Sequence, residues 1–402
     1  MELARTPHQA PPRADAHRDS TPHPSHPVPD RTHWLRRLGI GDWLYAAALV
    51  AGALFALRQY GNAMDVYDKA ILVLHVPVLT AIGWHWKAFR PFLAAVAALS
   101  LASIGLYQGD LARAEQTFLL KYLISSQTAI MWMSALVFMA TGAYLLGLAL
   151  RSNFADKTGS ALTWAAAAMG TTGLFVRWYE SYLIGPDIGH IPISNLYEVF
   201  VLFSLLTALL YLYYELRYGT RRLGAFVLTV ISAAVGFLLW YTFSREAHQI
   251  QPLIPALQSY WMKVHVPTNF IGYGAFALSA MVGSAYLLVE RGILANRLPS
   301  PRVLEDVMYK SIAIGFAFFT VATILGALWA AEAWGTYWQW DPKETWALIV
   351  WLNYAAWLHM RLTRGLRGSM LAWWAVIGLA VVTFAFLGVN MFLSGLHSYG
   401  SL

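Results

Sequence analysis

Eleven apolar runs, each of roughly the length that carries a helix across a bilayer, recur along this chain and leave little room for another architecture. They lie near 41–58, 70–86, 91–107, 126–150, 160–177, 195–216, 223–243, 266–290, 308–331, 344–361 and 370–391. A backbone in hydrocarbon must satisfy its own hydrogen bonds, so only helices and closed barrels span membranes. A barrel would show short alternating strands, whereas these runs are continuous. The expected fold is all-α, a polytopic membrane bundle of about eleven transmembrane helices. Charged residues make up only 12% of the 402 positions, about half their share in a soluble domain.

Lys and Arg orient such a bundle. One set of alternate loops, with the tail that precedes it, carries twenty of them, and the opposite set carries eight. The positive-inside rule then places the N-terminus in the cytoplasm and the C-terminus outside. Residues 1–33 are rich in Pro, Ser, Asp and His, and are expected to be a disordered cytoplasmic tail. The five histidines there (His8, His17, His23, His26 and His33) read as solvated. The first thirty residues lack an apolar stretch, so no cleavable signal peptide is expected. The net charge of +7 matters in a membrane chain through its distribution, and no nucleic-acid partner is expected. The absence of cysteine excludes a disulfide, a thiolate metal site and a thiol-redox role for this chain.

The same alternation brings three distant features to the outer face. These are the stretch "WGTYWQWDPKETW" (334–346), His265 before the eighth span and His397 after the eleventh. Neutral imidazole is a common ligand for transition metals. Two imidazoles across a plane, with flat rings alongside, would suit haem. Trp334, Trp338 and Trp340 offer large apolar area with an N–H donor. Asp341 is placed to orient a ligand or to order the loop, and Arg177, Arg245, Lys263 and Lys343 are candidates to meet propionates. The competing reading is an aromatic belt at the membrane interface, with ordinary interfacial histidines. The pattern alone leaves both open. His359, inside the tenth span near its inner end, marks either a function or the inner interface beside Arg361. His85, between Trp84 and Trp86 at the inner end of the second span, is either its partner in an inner haem site or an interfacial residue. His75, His190 and His248 give weaker signals.

The longer stretch "WGTYWQWDPKETWALIVWLNYAAWLH" resembles the tryptophan-rich WWD signature of the CcsA/ResC family of cytochrome c biogenesis proteins. The terminal "GLHSYG" and the upstream "GHIPISNLYEVF" are similar to that family too. The resemblance covers roughly 160–402, and leaves 34–159 as an N-terminal transmembrane extension. It implies a multi-pass protein of the bacterial inner (plasma) membrane, surrounded by lipid. Such a protein acts with a ResB-type membrane partner as the system II cytochrome c synthase. Haem b would be carried outward and presented for thioether attachment to the CXXCH motif of apocytochrome c. The resemblance further implies external haem ligands at His265 and His397, and an inner site at His359 whose second ligand comes from the partner; His85, which the resemblance does not name, is the candidate substitute in cis. Two other classes compete. A haem transporter would lack ligase activity. An electron-transfer cytochrome b would need stacked intrahelical histidines, which the spans lack apart from His359 and His85.

Overall fold

The computed structural model describes residues 38–397 except Ala63. The tail at 1–33, with its five histidines, lies outside the described residues. The long helices are α1 (Ile40–Tyr60), α2 (Val66–His85), α3 (Phe89–Tyr107), α5 (Ser126–Leu150), α6 (Asn153–Ile184), α7 (Leu196–Tyr218), α8 (Gly224–Arg245), α9 (Tyr260–Glu290), α10 (Pro301–Trp334), α11 (Pro342–Thr363) and α12 (Ser369–Thr383). Short α4 (Arg113–Gln116) precedes α5, and α12 runs through a π-turn (Phe384–Gly388) into α13 (Val389–Phe392). Every apolar run of the sequence falls on one of these helices, and no strand occurs among the described residues. Among the described residues nine segments are long and apolar enough to cross a membrane, α12 to α13 counting as one. The other two long helices, α6 and α11, are more polar. The protein is a multi-pass helical membrane bundle.

Side chains at the helix starts set the boundaries. Asp65, Ser152, Asn195, Ser259 and Asp341 each accept a backbone N–H of the following first turn, satisfying donors that a helix start leaves orphaned. Pro301 and Pro342 stand at first helical positions, where a missing N–H costs nothing. The core is built around α9, which packs against α7, α8, α10 and α12. The rings of Phe276 on α9 and Tyr354 on α11 stack 3.6 Å apart between centroids. Helix α1 stands outside this core and α2 meets it only through half-buried Leu79 and Ile82, so most of their surfaces are exposed.

Several buried charges tie the helices together through polar partners on neighbouring elements. Glu215 of α7 accepts from Tyr144 (2.7 Å), Tyr211 (2.8 Å) and Ser160 (2.5 Å). Glu180 of α6 accepts from the Tyr107 hydroxyl (2.5 Å) and the Ser126 backbone N–H (2.9 Å). Arg177 of α6 donates to Glu198 of α7 at 2.7 Å and to the carbonyls of His248 (2.6 Å) and Gln249 (3.2 Å). Hydrogen bonds and ion pairs of this kind offset the cost of burying a charge. Those partners let α6 carry Arg177 and Glu180 into the bundle.

Candidate functional site

The site lies where four helix ends converge. Ser259 starts α9 and its hydroxyl donates to Glu332 near the end of α10 at 2.8 Å, which fixes these two ends together. His265 follows in the second turn of α9. Its Nδ1 lies 2.8 Å from the carbonyl oxygen of Ala322 on α10. A carbonyl can only accept, so Nδ1 carries the proton and Nε2 keeps the lone pair. The imidazole lies against Gly326, where an added Cβ would come within 2.9 Å of Cε1. No side chain fits there unless the ring moves.

His397 is oriented by Asp341. The Asp341 carboxylate accepts from His397 Nδ1 at 2.9 Å, from the Leu396 N–H at 2.7 Å and from the Lys343 N–H at 3.0 Å. One side chain thus caps α11, pins the C-terminal loop and sets the tautomer of the imidazole. Glu344 completes a capping box, its Oε2 accepting from the backbone of Gln339 (2.7 Å) and Asp341 (3.2 Å). Its Oε1 is buried without a partner among the described residues. Burial holds the His397 imidazole below its usual pKa, against the opposing pull of Asp341, so a neutral ring is favoured. Both histidines therefore have Nδ1–H donated to an oxygen and Nε2 left as the ligating nitrogen, the arrangement that metal-binding histidines adopt.

The two imidazoles flank one indole. The Trp329 ring centroid lies 6.4 Å from that of His265 at 19° and 5.2 Å from that of His397 at 66°. Trp334 backs His397 at 4.6 Å and meets Trp329 at 4.8 Å. Both histidines line a cavity of about 260 Å³ with Trp329 and Trp338. Its remaining wall is largely apolar, from Val266, Phe270, Phe319 and Phe386. Trp340 stands edge-on to Trp338 at 5.9 Å and is 66% exposed. It carries a φ of 58°, a left-handed conformation that costs a bulky residue roughly 1–2 kcal/mol.

Of the four sequence candidates for propionate contact, only Lys343 lines this cavity. Arg177 is engaged with Glu198, and Lys263 pairs with Asp68 at 2.8 Å. His359 is exposed on α11, its Nδ1 3.4 Å from Thr363 Oγ1. His85 is exposed on α2, with Nδ1 2.8 Å from the Ala81 carbonyl. Helix α2 packs on α1 and α3, and α11 on α10 and α12, so these two histidines occupy different parts of the bundle. Trp329, outside the quoted tryptophan stretch, is the principal residue that sequence reasoning missed; within an apolar span nothing marks it. The "GHIPISNLYEVF" segment also enters the wall through Ser194 and Asn195. Its His190 is buried, with Nε2 3.1 Å from the Ser194 hydroxyl.

Comparison with known proteins bears on these same residues. A cytochrome c biogenesis protein CcsA from Chlamydomonas reinhardtii is 38% identical over 233 residues, covering 56% of this chain and 64% of that protein. Another, from Parasynechococcus marenigrum, is 36% identical over 258 residues, covering 57% of this chain and 82% of its own length. A third, from Chlorella vulgaris, is 34% identical over 304 residues, 66% of this chain and 94% of that protein. Among solved structures, one of a cytochrome c haem lyase, CcmF, superposes with a TM-score of 0.51 at 17% identity, over 65% of this chain and 46% of that one; this likeness concerns the fold alone. The cytochrome c assembly protein profile matches residues 193–397, the span from the Ser194 wall to His397. The chain is a member of the cytochrome c assembly protein family.

Proposed function

We propose that this chain acts in cytochrome c biogenesis by holding haem b at the cavity and presenting it to apocytochrome c. The observation that carries this reading is the pair His265 and His397, each with Nδ1 committed to an oxygen beside a shared indole. Two neutral imidazoles offer nitrogen ligands to one iron, and the apolar and aromatic wall suits a porphyrin face. Trp338 and Trp340 form the rim, placed to hold the vinyl edge near incoming thiols. Attachment adds each cysteine thiol of CXXCH across a vinyl group. An S–H bond breaks, a C–S bond forms, and the proton goes to the terminal vinyl carbon, with no oxidant consumed. The thiols come from the substrate, consistent with a chain that has no cysteine. The chain's share in that reaction is proximity and orientation.

In this reading the chain sits in the bacterial inner membrane with a ResB-type partner. His359, exposed on α11, is open to a ligand from that partner at an inner haem site; His85 would have to serve from another part of the bundle. A haem transporter lacking ligase activity is the second reading, and the membrane-embedded position of the bundle is compatible with it.

The test is co-expression with the partner and an apocytochrome in a host without its own maturation pathway. The expected result is covalent cytochrome c, detected by haem stain after denaturing electrophoresis, and its loss with His265→Ala or His397→Ala. Maturation that appears only when a separate ligase is supplied would favour the transporter.

A further inference from the structure

The geometry points to a carboxylate subsite on the inner floor of the cavity, formed by Lys343 with Asn390, that fixes haem with its propionates inward and its vinyl edge at the tryptophan rim. This rests on haem being the cargo. Lys343 directs Nζ to the carbonyl of Phe386 at 3.0 Å, and Asn390 Nδ2 donates to the same oxygen at 3.0 Å. Phe386 belongs to the π-turn after α12, and its ring packs against Phe200, Phe270 and Tyr273 in the core. The ammonium is therefore carried from the start of α11 to the core side of the cavity.

Its electrostatic position is unusual. An ammonium has three donors, and the one bond described is to a neutral carbonyl. Among the described residues no carboxylate lies within ion-pair distance of Lys343. Asp341, two residues before it, is already committed to His397, Leu396 and the helix cap. Glu344 holds the Gln339 and Asp341 amides. Lys343 is half-buried, and a carboxylate entering the cavity would give its ammonium the direct ion-pair partner that the described residues do not provide.

What lies beyond Phe386 sets the depth. A second cavity of about 290 Å³ adjoins the first across Tyr273 and Phe386. No charged side chain lines it, and its wall includes Phe200, Phe203, Phe237 and Leu387. A carboxylate gains nothing by passing Lys343 into that chamber, so the charged edge of a bound ligand stops there. The opposite, uncharged edge is then left beside Trp338, against which exposed Trp340 stands.

Equilibrium binding of haem and of haem dimethyl ester to the purified full chain in detergent tests this. Wild type should bind the free acid about tenfold or more tightly than the ester, the range of one charge-assisted hydrogen bond. Lys343→Met should erase the preference by weakening the acid more than the ester, and Lys343→Arg should keep it. Equal affinities of wild type for acid and ester would overturn the subsite without any variant being needed, as would a preference that survives in Lys343→Met. Wild type that binds neither compound would overturn the haem reading itself.

Discussion

Asp341→Ala is expected to lower haem affinity about 10- to 100-fold, the usual cost of removing a group that orients a metal-binding histidine. The same change removes the cap of α11, worth about 1 kcal/mol, and frees the Leu396 N–H. Asp341→Asn separates these effects. Its amide oxygen can still accept from the first turn, but only one atom of the side chain now accepts. His397 Nδ1–H and the Leu396 N–H, which the carboxylate met on two oxygens, then compete. The expected order of affinity is wild type, then Asn, then Ala, with thermal stability of the Asn variant close to wild type. Haem titration together with thermal unfolding in detergent reads both quantities. An Ala variant with unchanged affinity would show that Asp341 only orders the loop, the other role its sequence position allowed.

Arg177→Met carries the largest expected effect on stability. Arg177 and Glu198 side chains are 4% and 1% exposed, so the substitution leaves a buried carboxylate without its cation, held only by Ser194. Removing one member of such a pair costs about 3–5 kcal/mol. The double variant Arg177→Met with Glu198→Gln should recover much of that loss, because the stranded charge is gone. The effect reaches the cavity as well. Glu198 Oε2 accepts from the Ser194 N–H at 2.7 Å and its hydroxyl at 2.8 Å, and Ser194 is part of the wall. Loss of folded, monodisperse protein with the single variant and its return with the double variant is the expected result. Denaturation midpoints measured in detergent check it, and equal midpoints for wild type and single variant would contradict the buried-pair account.

These residues also show what a sequence can reveal. The spans were legible because a twenty-residue apolar run is a long and redundant signal. Their ends were not. The run at 160–177 extends to Asn153–Ile184 and the run at 308–331 to Pro301–Trp334, since a helix continues past the hydrocarbon into polar sequence that hydropathy cannot score. The convergence of His265, His397 and the tryptophan stretch was legible from the alternation of loops, which needs no knowledge of side-chain contacts. Finer detail was lost for the same reason. Arg177 looked as eligible as Lys343 until its partner Glu198, on another helix, came into view. Trp329 was one aromatic among many in an apolar helix. Trp334 and Trp340 were read with Trp338, yet one backs an imidazole and the other faces outward.

Magnetic resonance and optical spectra of the purified protein loaded with ferric haem test the central claim most directly, that His265 and His397 share one iron. Wild type should give a low-spin, bis-imidazole signature. His265→Ala and His397→Ala should each convert it to a high-spin form that imidazole in the buffer returns to low spin. Low-spin spectra unchanged in both variants would contradict the account.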